Sequence, residues 1–117
     1  MKDQLLKLPE LIKEKSIEIL ELNQELQEQE SKFKILETSI SAEISAETDS
    51  QGKPKFSNDS KRKDEFNLRI SMDDNYKGLE SKLKKLRDEY QRLIIDQEFL
   101  LNTQKNLRAL CYFNDER

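Results

Sequence analysis

Histidine is absent from this 117-residue chain, cysteine occurs once, tryptophan not at all, and glycine and proline twice each. Without histidine, and with one cysteine, most zinc sites are excluded, as is every mechanism that uses imidazole as a proton carrier. A single cysteine cannot build a disulfide framework and fits a reducing cytoplasm. Two glycines and two prolines are too few for the many tight turns of an all-β protein. Apolar residues are also sparse, at 34% against 38% charged, where an ordinary globule is roughly 45–50% apolar and about 25% charged. No stretch approaches 18 consecutive apolar residues, which argues against a membrane-spanning helix. The first ten residues, Met1 to Glu10, lack the apolar core of a signal peptide. The expected location is the cytoplasm.

What the chain has in quantity is charge and periodic leucine. Its net charge is -3, unevenly distributed. Residues 1–48 carry a net -5, residues 49–71 a net +2, and residues 72–117 are neutral. An acidic first half beside a neutral or basic second half suits complementary edges in an antiparallel helix pair.

Counting in sevens from Leu5 gives Leu5, Ile12, Ile19, Leu26, Phe33 and Ile40, all apolar. The positions three residues later are Leu8, Lys15, Leu22, Gln29, Leu36 and Glu43, of which half are apolar. A second tract runs Tyr76, Leu79, Leu83, Leu86, Tyr90, Leu93, Gln97, Leu100, Gln104, Leu107 and Cys111. Both are coiled-coil seams, and the two glutamines in the second are polar seam residues of the kind that fix register. Leu22 and Leu86 are expected to be buried. Each tract also carries apolar residues off its seam: Leu11, Ile17, Leu20 and Ile35 in the first, Ile94, Ile95, Phe99, Leu101 and Leu110 in the second. Such a wide apolar face suits a bundle of more than two helices, so the hairpin is expected to self-associate as a dimer.

Residues 45–58 interrupt the pattern, with Gly52 and Pro54 marking a turn. Ile40, Ala42, Ile44 and Ala46 alternate with polar residues, which leaves open an extended segment and a short β-hairpin pairing residues near 44–48 with 53–57. Phe56 would then plug the helix ends. Helix resumes near Ser57 or Asn58, either of which can cap it. Phe66 and Ile70 mark one face of a short helix. Ser71 or Asp73 can cap the next. The reading is a single all-α domain spanning 1–117: helix about 3–46, a turn or short hairpin about 47–57, a short helix about 58–71, and a long helix about 75–113. At 1.5 Å per residue the two long helices match, at roughly 65 and 58 Å.

Candidate chemistry is thin. Adjacent carboxylates such as Asp73 with Asp74 and Asp88 with Glu89 read as solvated surface, because catalysis needs a sheltering pocket. Cys111 has no histidine to activate it and reads as a small seam hydrophobe. No metal or cofactor site is expected, and no enzyme. The basic segment is the one candidate binding site. Lys53, Lys55, Lys61, Arg62, Lys63 and Arg69 fall within 17 residues, with Phe56 among them. Cations neutralise phosphates and an aromatic ring stacks on an exposed base. Asp49, Asp59, Asp64 and Glu65 dilute that field, and a solvated helix tip is the favoured reading of the same residues.

The run Gly52-Lys53-Pro54-Lys55-Phe56-Ser57-Asn58, then Lys61-Arg62-Lys63, then Asp73 and Asp74 before Tyr76 and Leu79, resembles small coiled-coil proteins of bacteriophages and bacterial mobile elements. The resemblance covers residues 50–95 and implies a cytoplasmic accessory protein encoded near recombination functions. It assigns no catalytic residue. Two long helices about a central turn are also similar to the β-type subunit of prefoldin, a holding chaperone. That family joins its helices through an apolar β-hairpin, and residues 45–58 contain almost no apolar strand.

The expected role is that of a structural or adaptor protein that binds itself and an unidentified protein partner. A nucleic-acid-associated accessory protein using residues 53–69 is the alternative, and a holding chaperone the third.

Overall fold

The computed structural model describes residues 2–115. They form an all-α helical hairpin of three helices: α1 Lys2–Ala46, α2 Asp59–Met72 and α3 Asp74–Asp115. Pro9 lies inside α1. It removes one backbone hydrogen bond from the second turn, while Leu8 beside it is buried and helps anchor that end. By contact the hairpin divides into two compact units, residues 1–26 with 86–117, and residues 27–85. The division has a local cause, because α2 and its preceding loop add a third packing element only within 27–85.

In the first unit the N-terminal half of α1 pairs with the C-terminal half of α3. Leu8, Leu26 and Leu86 are buried. Leu5, Ile12, Ile19, Leu22, Tyr90, Leu93, Leu100, Leu107 and Cys111 are half-buried. Leu22 is thus less enclosed than its seam position suggested. A pair of helices covers only one side of each seam residue, and Leu22 with Leu93 borders a groove lined by Glu18, Glu21, Glu25, Glu89 and Arg92. Gln97 Nε2 donates to Ser16 Oγ at 2.8 Å, and Lys15 lies 3.9 Å from the Asp96 carboxylate. The amide at Gln97 ties the two helices together at one register, since a slip would strip it of this partner.

The second unit has a thicker core. Ile40, Ile44 and Tyr76 are buried, with Phe33, Leu36, Phe56, Phe66 and Ile70 packed against them. Leu83 is also buried, and Leu79 half-buried. The Phe33 and Tyr76 rings lie 4.7 Å apart between centroids and tilted by 38°, within the range that favours aromatic pairs. The alternation over Ile40–Ala46 does not produce a strand, because α1 continues through Ala46. Ile40 and Ile44 are four apart, so helix places both on one face, where they meet Tyr76.

The connection from α1 to α2 makes one isolated antiparallel bridge, Thr48 to Pro54, in place of a β-hairpin. Proline has no amide hydrogen to extend a ladder there. The loop is built instead around Asp49. Its Oδ1 accepts from the amides of Gln51 at 2.9 Å and Lys53 at 3.0 Å, and its carbonyl accepts from the Gly52 amide at 3.0 Å. Gly52 sits at φ 80°, a conformation that costs glycine nothing.

Asn58 caps α2, its Oδ1 accepting from the Lys61 amide at 2.9 Å. The break between α2 and α3 is the single residue Asp73. Its amide donates to the Ile70 carbonyl at 3.3 Å, and its Oδ1 accepts from the Tyr76 amide at 3.0 Å. One residue thus ends one helix with its amide and starts the next with its carboxylate, whose negative charge suits the N-terminus of α3. Ser71 instead donates back to the Leu68 carbonyl at 2.6 Å.

Burial, with the nearby charges of Glu37 and Glu80, pushes the Tyr76 phenol above its ordinary pKa. In the unfolded chain a tyrosine ionises near pH 10. The stability that depends on a neutral phenol is therefore complete below about pH 10 and is lost as pH rises through the higher folded value. Thermal unfolding measured from pH 8 to 11.5 is expected to show a steeper alkaline decline for the wild type than for Tyr76→Phe. Parallel declines would contradict this account.

Candidate interaction surfaces

The structure divides the basic segment into cations already engaged and cations left exposed. Arg69 is held by two carboxylates. Its Nη2 donates to Glu47 at 2.6 Å and its Nε to Glu65 at 2.8 Å. These bonds, the Glu65 one first, raise the guanidinium pKa. Arg62 donates Nη1 to the Phe56 carbonyl at 3.2 Å and also pairs with Asp59. Lys55 lies 3.9 Å from the Glu47 carboxylate. The Phe56 ring packs on the Ile40–Ile44–Tyr76 cluster, with Lys55 Nζ 5.5 Å and Arg69 Cζ 5.9 Å from its centroid. The ring is thus an anchor for the loop, flanked by two cations in cation–π range.

Lys53, Lys61 and Lys63 remain exposed and, among the described residues, form no ion pair. Of the seven residues considered for nucleic-acid contact, Phe56, Arg62 and Arg69 are thus held within the fold, and Lys55 is exposed but faces Glu47. Glu47 is the residue that sequence reasoning missed here. It lies 22 positions from Arg69, and nothing local in the sequence connects the two.

Large apolar side chains are exposed chiefly in the first unit. On α1 these are Leu6, Leu11, Ile17 and Leu20, and on α3 Ile95, Phe99, Leu101, Leu110, Tyr112 and Phe113. The second unit adds Ile35, Leu68 and Met72. Ile94, expected on the wide face, is half-buried instead. A scattered exposed leucine means nothing, but a concentration of this size on one pair of helices is a candidate for an interaction surface. One shallow groove in this unit is lined by Leu11, Phe99 and Leu100 between Glu14, Glu18 and Asp96.

Among the described residues no three of His, Cys, Asp and Glu converge as metal ligands would. No described helix is long and apolar enough to cross a membrane. Comparison with protein-family models, curated proteins and solved structures finds no match to this chain.

Proposed function

We propose that the chain is a non-enzymatic coiled-coil protein of structural or adaptor type, which associates with itself and presents helical surfaces to a protein partner. The observation that carries this reading is the exposed apolar surface of the first unit. Leu6, Ile17 and Leu20 on α1, with Ile95, Phe99 and Leu110 on α3, are each at least 45% exposed. They lie outside the seam that joins the two helices. Solvating so much apolar surface costs about 25 cal/mol per Å², which association recovers. Engagement of Arg62, Arg69 and Phe56 within the fold favours this reading over nucleic-acid binding through residues 53–69.

Sedimentation equilibrium at micromolar concentration is expected to give a mass near twice 13.9 kDa. A monomer throughout that range would defeat the proposal.

A further inference from the structure

The exposed stripe on α3 has an order that reads alike in both directions. It runs Ile95, Phe99, Asn102, Asn106, Leu110, Phe113, and all six side chains are exposed. At about 100° per residue they fall within a sector of about 80°. The seam residues Gln97, Leu100, Gln104, Leu107 and Cys111 lie on the opposite side. Two apolar residues stand at each end of the stripe and an asparagine pair in the middle, so the pattern has a centre near residue 104. A twofold interface requires that if residue i meets residue j, then j meets i. A stripe with this mirror order satisfies that condition when two copies of α3 run antiparallel. Ile95 then meets the second copy's Phe113, Phe99 meets the second copy's Leu110, and Asn102 meets the second copy's Asn106.

The flanking charges select the same direction. Glu98 and Lys105 border the stripe on one side, and Asp96 borders it on the other. Antiparallel pairing about a twofold brings like flanks together, which sets Glu98 within reach of the second copy's Lys105, twice by symmetry. Parallel pairing brings unlike flanks together and sets Glu98 beside the second copy's Asp96, a repulsive contact. The central asparagines then act as a register lock. An amide facing an amide keeps its hydrogen bonds, whereas a slip buries it against an apolar side chain.

From this we infer that α3 is the self-association surface, and that two copies pair antiparallel along residues 95–113 about an axis between Asn102 and Asn106. The inference rests on the self-association proposed above and adds the face, the direction and the register.

Directed disulfide formation tests it. In a Cys111→Ala background, which removes the native thiol, full-length chains carrying Asn102→Cys and Asn106→Cys are mixed in equal amounts and oxidised gently. Mass spectrometry then distinguishes the products. The expected result is the mixed 102–106 disulfide in at least about tenfold excess over either homodisulfide, because only directly opposed residues come within the roughly 4.4–6.8 Å between Cα atoms that a disulfide needs. Predominant 102–102 and 106–106 disulfides would overturn the antiparallel assignment. Separately, Phe99→Glu is expected to weaken the dimer at least about a hundredfold, since each substitution acts twice in a twofold interface. Ile35→Glu on α1, in the other unit and outside that surface, is expected to leave the dimer constant unchanged within about threefold. Both positions are exposed, so helicity by circular dichroism is expected to persist in each variant. A wild-type dimer that survives Phe99→Glu and yields no mixed disulfide would overturn this interface while leaving self-association intact. A wild-type monomer would overturn both.

Discussion

Ile44→Ala is expected to destabilise the unit formed by residues 27–85 by about 2–5 kcal/mol, the range for truncating a large aliphatic side chain in a packed core. Ile44 is only 1% exposed and lies against Ile40 and Tyr76, with Phe33, Leu36, Phe56, Phe66 and Ile70 around them. These neighbours come from all three helices and the loop, so they cannot all move inward together, and a cavity remains. Alanine is the better helix former by a few tenths of a kcal/mol, an opposing gain too small to change the sign. Ile35→Ala is the matched control. Ile35 sits on the same helix but is 69% exposed, and its loss is expected to cost about 0.5 kcal/mol or less. Urea denaturation followed by circular dichroism measures both, with an unchanged slope showing that the unfolding unit is the same. Equal effects at 35 and 44 would mean that α1 presents a different face to the core.

Leu86→Ala is expected to cost the unit formed by residues 1–26 and 86–117 about 2–5 kcal/mol as well. Leu22→Ala, at a seam position of the facing helix, is expected to cost clearly less. The two leucines look equivalent in the heptad pattern. Leu86 is buried, whereas Leu22 is half-buried beside an open groove. Truncating a residue that already borders solvent forfeits less apolar burial and leaves no closed cavity. Replacing the neighbouring exposed Glu21 is expected to change stability by about 0.5 kcal/mol or less. Equal costs at 22 and 86 would show that the groove closes in solution, as it would if a second copy covered it.

The helices and their seams were legible in the sequence because helical periodicity is a local property. Every seventh residue from Leu5 to Ile40 recurs on one side of α1 whatever the rest of the chain does, and each of these six is at least half-buried. The caps were legible for the same reason. Asn58 and Asp73 act on amides three residues ahead, a reach that neighbouring sequence specifies.

The fate of the basic segment was not legible. Arg69 is held to Glu47 across 22 residues, and Phe56 is held by a core assembled from three helices. Only the closed loop makes those groups neighbours. The alternation over Ile40–Ala46 is equally compatible with strand and helix, and only the fold shows α1 running through Ala46 with Ile40 and Ile44 against Tyr76. Likewise the sequence counts the apolar residues beyond the seam without saying which remain in water. Ile94 is covered while Ile95 is 62% exposed. One residue turns the side chain by about 100°, and whether that turn points it at a neighbouring helix or away from it depends on where that helix lies, which is a matter of packing between segments far apart in the chain.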